Sequence, residues 1–240
     1  MTDRHLRIGR QTLHYTTAGS GTPLVLLHGL SGSGRWWAKN TSVLARRYRV
    51  YALDLVGFGG SRGQPFSMDA AEDAVYAFLD TLDAAPLYLM AHSMGGLIAA
   101  RMAIRLGERV GGLVLVDSLG LPLRRSITNS TLRLPLALRY APVDFWPVLA
   151  LDALRAGPLN LLRATLAIHR ADLSDALGQI PCRTLVVWGE HDMLLPLRLG
   201  KQLHAALPGS QWALVRGAGH NPMWDRAEEF NALVLKFLEE

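Results

Sequence analysis

Cysteine, lysine and long apolar runs are what this 240-residue sequence has least of. Cys182 is the sole cysteine, so no disulfide can close within the chain and nothing in it demands an oxidising compartment. No uninterrupted apolar stretch approaches the roughly 18 residues that span a bilayer. Residues 1–7, Met-Thr-Asp-Arg-His-Leu-Arg, lack the basic-then-apolar order of a secretory signal. The expectation is a cytoplasmic protein with no membrane span. Only Lys39, Lys201 and Lys236 are lysines among 25 basic residues, which leaves 22 arginines and a net charge of +5. No Lys/Arg run is dense enough for nucleic acid, and no zinc-finger spacing or heptad repeat is present. The arginine excess reads as a codon preference or as an attraction for anionic substrates.

Half of the residues are hydrophobic and 19% are charged. A chain of this size and composition supports one large core, and one catalytic domain with an insertion fits better than two domains. Apolar runs at Pro23–Leu27, Tyr48–Leu53, Leu87–Ala91, Gly112–Val116, Thr184–Trp188 and Gln211–Arg216 suit strands buried on both faces. Residues 5–17 read as two short strands around a turn at Gly9-Arg10. Helical periodicity fills the intervals at Arg35–Arg46, Met68–Leu82, Met94–Leu106, Leu197–Ala206 and Ala227–Leu238. Alternation of this kind predicts an α/β fold with a mostly parallel central sheet and helices on both faces.

The alternation stops between about Leu119 and Gly178. Pro122, Pro135, Pro142, Pro147 and Pro158 punctuate that stretch, which predicts short helices broken by prolines. It reads as a helical cap, residues 119–178, inserted into a core formed by residues 1–118 and 179–240.

Three signals fall at predicted strand ends, where an open α/β sheet places its ligands. In Ala91-His92-Ser93-Met94-Gly95 an apolar strand runs into a helix through a serine. The small residues on either side, Ala91 and Gly95, allow strand and helix to approach closely around a sharp, strained turn. A helix-capping serine is the plainer role for Ser93. Next, His28-Gly29-Leu30 closes the run Leu24–Leu27, and His28 reads as a histidine that bonds loop backbone. The last signal is paired: Gly189-Glu190-His191-Asp192 ends a strand with an acid, and Gly217-Ala218-Gly219-His220 presents a histidine on a glycine-rich loop. A hydroxyl nucleophile needs a base near neutral pKa, and the base needs a partner for its other nitrogen.

The serine motif resembles the nucleophile elbow of the α/β-hydrolase fold, usually written G-x-S-x-G, with Ala91 in place of the first glycine. The order Ser93, Asp192, His220 is that family's chain order, and the resemblance covers nearly the whole chain. It implies Ser93 as nucleophile, His220 as base and Asp192 as the acid that orients the base. It also implies an oxyanion hole from the backbone N–H groups of Leu30 and Met94. Asp117 also ends a strand where some members carry their acid, but Gly-Glu-His-Asp matches the commoner pattern. Asp54–Ser61 is similar to the family's loop after an early strand and reads as a turn fixed for shape. His92 should be turned away by the elbow, and His191 should lie on a loop surface. Trp36 and Trp37 read as packing residues with a pocket-lining alternative, and Cys182 as buried rather than reactive. His5, His14, His169 and His204 have no metal spacing, and no cofactor is implied.

A serine at the elbow disfavours the carbon–halogen and epoxide chemistry of related enzymes that use aspartate there. The implied function is a serine hydrolase cleaving carboxylic esters through an acyl-enzyme. A carbon–carbon bond hydrolase acting on meta-cleavage products and a non-catalytic ligand-binding member of the fold are the alternatives. Leu132, Leu134, Leu136, Leu138, Phe145, Trp146, Leu149, Leu161, Leu162 and Leu166 give the cap an apolar surface suited to an ester substrate with an apolar acyl group. Against Asp144, Asp152, Asp172 and Asp175 the cap sets Arg124, Arg125, Arg133, Arg139, Arg155, Arg163 and Arg170. That excess admits an anionic substrate or an acidic carrier protein as partner.

Overall fold

The computed structural model describes residues 1–9, 11–123 and 139–240. Arg10, Arg124, Arg125, Leu132, Arg133, Leu134, Pro135, Leu136 and Leu138, singled out by the sequence, lie outside the described residues.

The apolar runs form strands because their side chains alternate between two interiors. In Pro23–Leu27 (β3), Val25 and Leu27 join one hydrophobic cluster, and Leu24 and Leu26 join the other. The same division holds in Leu87–His92 (β5), Val110–Val116 (β6) and Arg183–Gly189 (β7). A strand apolar at every position therefore has to be covered on both faces. Thr2–Ile8 (β1), Gln11–Ala18 (β2), Arg49–Leu53 (β4) and Gln211–Val215 (β8) complete the sheet. Its order is β1-β2-β4-β3-β5-β6-β7-β8. The pairs β1–β2 and β2–β4 are antiparallel and the rest are parallel.

Five longer helices cover the two faces. Met68–Asp80 (α2), Met94–Leu106 (α3) and Leu197–Ala205 (α5) contribute Phe78, Leu97 and Leu203 to one cluster. Ala38–Leu44 (α1) and Ala227–Glu239 (α7) contribute Leu44, Phe230 and Phe237 to the other. Full burial of each such side chain stabilises the fold by about 1.5–3 kcal/mol. Helix α1 is shorter than its periodicity predicts, because Gly34–Trp37 winds as a 3₁₀ turn before it. Pro222–Asp225 (α6) is a short helix that no periodic pattern announces.

Between β6 and β7 the described chain forms Trp146–Arg170 (α4), two helical halves separated by a kink, and the 3₁₀ turn Leu177–Gln179, in keeping with short helices broken by proline. Pro147 sits in the first turn, where its missing N–H costs nothing. The break falls at Gly157-Pro158, where Gly157 takes φ 72°. Each half is tied to a loop at the C-terminal edge of the sheet. In the first half, the Asp152 carboxylate accepts from Ser33 and Trp36, beyond β3. In the second, Asn160 Oδ1 accepts from Phe66 N–H and Asn160 Nδ2 donates to Gly57 O and Gln64 O, beyond β4. Helix α4 thus lies across the loops that follow β3 and β4. Among the described residues, no helix is long and apolar enough to cross a membrane.

Candidate active site

Strand β5 delivers Ser93 onto a turn that extended or helical backbone cannot make. Its φ is +51° and its ψ is −116°, a strained pairing for a residue with a Cβ. The turn is held by Ser93 N–H donating to Val116 O and by Leu119 N–H donating to Ser93 O, at 3.0 and 3.1 Å. Close approach requires glycine on both sides. A methyl group on Gly95 would lie 2.5 Å from His28 O, and one on Gly29 would lie 3.1 Å from Ser93 Cβ. Ala91, fully buried in β5, fills the first small position of the elbow.

The three residues that the motif order links across the chain converge. His220 Nε2 lies 3.2 Å from Ser93 Oγ, and His220 Nδ1 lies 2.7 Å from Asp192 Oδ2. All three are buried, with Ser93 and His220 retaining 9% and 8% exposure. Asp192 Oδ1 is occupied by the backbone N–H groups of Leu194 and Leu195, at 2.8 and 2.9 Å. The carboxylate is therefore oriented by backbone and has one free edge, which faces the imidazole. A histidine held this way carries its proton on Nδ1 and presents an acceptor nitrogen to the hydroxyl.

Asp117 occupies a different place. It is fully buried at the end of β6 with φ +39°, and its Oδ1 accepts Gly189 N–H at 2.9 Å. Its Oδ2 has no hydrogen-bond partner. Burial first, and the neighbouring Asp192 carboxylate second, push its pKa well above the usual carboxylate range. Asp117, Asp192 and His220 offer ligand atoms within 4.8 Å of one another. Both oxygens of Asp192 and the Nδ1 of His220 are already committed to hydrogen bonds, a pattern that suits proton handling better than metal coordination.

His28 is neutral and structural. Its Nδ1 donates to Gly29 O at 2.7 Å, its Nε2 accepts Leu55 N–H at 2.9 Å, and burial lowers its pKa. It thereby joins the loop after β3 to the loop after β4. Leu30 follows in a turn closed by Gly32 N–H donating to Gly29 O at 3.1 Å. Met94 is the first residue of α3, so its N–H has no intrahelical acceptor and points out of the helix N-terminus. His92 is fully buried, and its Nε2 donates to the backbone carbonyl of His220 at 2.7 Å. Burial, and then the adjacent His220, hold its pKa well below the usual value. Its role is to fix the His220 loop.

Trp36 and Trp37 are packed, with 4% and 0% exposure. His191 lies partly exposed, stacked against Tyr140. Burial raises the pKa of Cys182, which makes it a poor thiolate.

Three acids near these loops escaped the sequence reading. Asp54 accepts from Gly34 N–H, Gly60 N–H and His14 Nδ1, at 2.6, 2.5 and 2.7 Å. Burial alone would raise its pKa, but the His14 hydrogen bond and the other donors bring it below the usual range. Asp225 accepts Gly219 N–H at 2.8 Å, beside His220, and burial pushes it up to about 7. Asp152 was visible only as one acid in the cap's charge balance. The glycine-rich Asp54–Ser61 segment was the one local signal for Asp54; Asp152 and Asp225 carry none.

A profile of the alpha/beta hydrolase family matches residues 24–233. The dihydrolipoyllysine-residue acetyltransferase component of the acetoin cleaving system of Pseudomonas putida is 32% identical over 258 residues, covering 97% of this chain and 68% of that protein. A 2-hydroxy-6-oxononadienedioate/2-hydroxy-6-oxononatrienedioate hydrolase of Paraburkholderia xenovorans (strain LB400) is 30% identical over 271 residues, covering 96% of this chain and 91% of that protein. The crystal structure of a bromoperoxidase from Bacillus anthracis superimposes with a TM-score of 0.89 at 26% identity, covering all of both chains. Family profile, relatives and sheet order agree, and this chain belongs to the alpha/beta hydrolase family.

Proposed function

We propose that the protein is a serine hydrolase that cleaves carboxylic esters through an acyl-enzyme. The observation that carries this reading is the hydrogen-bond line from Ser93 Oγ to His220 Nε2 and from His220 Nδ1 to Asp192, at 3.2 and 2.7 Å. Ser93 Oγ attacks the ester carbonyl carbon while His220 Nε2 takes its proton. The backbone N–H groups of Leu30 and Met94 receive the negative charge that develops on the carbonyl oxygen, a contribution of several kcal/mol when two fixed donors act together. The tetrahedral intermediate collapses, the C–O bond to the alcohol breaks, and His220 returns the proton to the departing alkoxide. Water, deprotonated by His220, then attacks the acyl carbon and releases the acid and Ser93. Asp192 holds the tautomer and stabilises the imidazolium. No cofactor enters.

The substrate in this reading is a small ester with an apolar acyl group. In this reading α4, the described helix of the segment between β6 and β7, belongs to the cap that covers it.

The relative from Paraburkholderia xenovorans favours a second reading, carbon–carbon bond hydrolysis of a dienedioate. Such a substrate needs cations for its carboxylates. Among the described residues, Arg35, which follows Leu30 on the same loop, is already paired with buried Asp152 and is not free to bind one.

The test is turnover of p-nitrophenyl butyrate beside bleaching of a coloured meta-cleavage product. Ester turnover with a burst, lost in Ser93→Ala together with fluorophosphonate labelling, is the expected result. Bleaching without ester turnover would replace the ester reading with the second one. Unchanged turnover in Ser93→Ala would refute both.

A further inference from the structure

Asp152 is 1% exposed in the first half of α4, far along the chain from the residues it touches. Its Oδ2 accepts from Ser33 Oγ at 2.8 Å and from Trp36 Nε1 at 3.1 Å, and its Oδ1 accepts from the Arg35 guanidinium. Burying a carboxylate is costly unless it is fully paired. Here three side chains from four consecutive residues supply the donors, and all three belong to the loop that leaves Leu30.

The carboxylate reaches further than these three contacts. Ser33 also accepts Arg35 N–H at 3.3 Å and so caps the 3₁₀ turn Gly34–Trp37. A methyl on Gly32 would lie 2.9 Å from the Trp36 ring, so the indole rests directly on the backbone of the Leu30 turn. Ser31, between Leu30 and Gly32, has φ +65°, a conformation that a side-chain-bearing residue keeps only when its surroundings impose it. The Trp36 ring also lies 5.6 Å from the ring of His92, whose Nε2 holds the carbonyl of His220.

We propose that Asp152 is a positioning residue, which fixes the backbone donor of Leu30 by clamping the Ser33–Trp36 segment to α4. The inference rests on the reading of Leu30 as an oxyanion donor. The second half of α4 is anchored separately, through Asn160 on the loop after β4. The break at Gly157 lets the two halves meet their loops independently, so the clamp at Asp152 can be released without freeing the whole helix.

The experiment compares parent, Asp152→Asn and Asp152→Ala, with active sites counted from the p-nitrophenyl butyrate burst. Displacing an oxyanion donor by a fraction of an ångström weakens transition-state binding more than substrate binding. The expected result for Asp152→Ala is a fall of about tenfold in kcat per titrated site, with KM within about twofold. Asp152→Asn keeps an acceptor for Ser33 and Trp36 and should fall between the two. Hydrogen–deuterium exchange should accelerate in residues 28–37 of Asp152→Ala and stay unchanged in residues 57–66.

A merely structural staple would lower Tm and the number of titrated sites but leave kcat per site within about twofold of the parent. That result overturns the proposal, as does unchanged exchange in residues 28–37. If Asp152→Ala does not fold, Ser33→Ala decides: a fall in kcat per site of about threefold or more supports the clamp, and a smaller one overturns it. A parent without ester turnover would refute the ester reading instead, and the exchange measurement would still judge the clamp.

Discussion

Replacing Asp192 by asparagine should disable the base without disturbing the fold, and the hydrogen bonds fix how. Asp192 Oδ1 accepts two backbone N–H groups, from Leu194 and Leu195, and Oδ2 accepts one proton, from His220 Nδ1. An asparagine has one acceptor edge and one donor edge. With its NH₂ toward Leu194 and Leu195 it would leave two buried donors facing a donor, at about 1–3 kcal/mol each. Asparagine therefore keeps its oxygen on the backbone and turns its NH₂ to the imidazole. His220 can meet an N–H donor only by making Nδ1 the acceptor and moving its proton to Nε2. That nitrogen faces Ser93 Oγ at 3.2 Å and can no longer take the serine's proton. The expected fall in kcat is about 10³–10⁴-fold, or about 4–5.5 kcal/mol of barrier at 1.4 kcal/mol per tenfold. Burst kinetics with p-nitrophenyl butyrate, normalised to fluorophosphonate-labelled sites, measure it, and the residual rate should rise with pH as hydroxide substitutes for the base. If kcat stays within tenfold of the parent while His220→Ala loses more than 10³-fold, the orienting acid is not Asp192 and the tautomer argument fails.

Other substitutions probe the surrounding shell. Asp117→Asn keeps the acceptor for Gly189 N–H and removes a carboxyl that does not bond the imidazole, so kcat should stay within about threefold; a loss near that of Asp192→Asn would reassign the acid to β6. Gly95→Ala places a methyl 2.5 Å from His28 O and 2.8 Å from Leu27 O, both backbone, and should cost about 1–3 kcal/mol in urea unfolding together with most of the activity; parent-like stability would refute the close approach of strand and helix. Asp225 lies beside His220, with Lys39 also near, and its pKa rises from the ordinary 3.8 to about 7. The folded protein therefore holds a proton that the unfolded chain has released between those values, so this group's stabilisation declines as pH rises through that window. The full difference is on the order of 4 kcal/mol, and Asp225→Asn should gain stability over the parent between pH 5 and pH 8 in urea titrations; an equal pH slope in both proteins would refute the assignment.

Much of the fold was legible because its signals are local. The run Pro23–Leu27 is a strand over the residues its apolar continuity predicts, and Met94–Leu106 is a helix over the residues its periodicity predicts. The order Ser93, Asp192, His220 was legible for a related reason: each stands where an apolar strand gives way to a loop, and strand ends can be read from the pattern. Asp117 also ends a strand, and the Gly-Glu-His-Asp pattern favoured Asp192 over it; the 2.7 Å contact with His220 Nδ1 is made by Asp192. Between β6 and β7, Pro158 does break a helix, but Pro147 does not, because a first-turn proline has no hydrogen bond to lose. Asp152 shows the limit. Nothing in Leu151-Asp152-Ala153 distinguishes it from Asp172, which is exposed and bonded to Ser174. Its meaning lies in Ser33, Arg35 and Trp36, more than a hundred residues away.

Among the described residues, non-glycine residues with positive φ are Ser31, Ser93 and Asp117. They lie beyond β3, at the end of β5 and at the end of β6, and the last two flank the imidazole from the hydroxyl side and the acid side. Each such conformation costs about 1–3 kcal/mol, so their clustering is not what folding stability alone would produce. What allows it is the sheet beneath. β3, β5 and β6 are buried almost throughout, and a close-packed interior deforms little when a loop above it is strained. The same rigidity explains why the loops are held by backbone-directed side chains: His28 to Leu55, His92 to His220 and Asp117 to Gly189 across segments, and Asp192 to Leu194 and Leu195 within one loop. A backbone contact carries no side-chain rotamer freedom at its far end, so each of these bonds fixes position more tightly than a pair of side chains would. The Asp152 cluster breaks that pattern by relying on three side-chain donors, and it is correspondingly the place where substitution should loosen the site first.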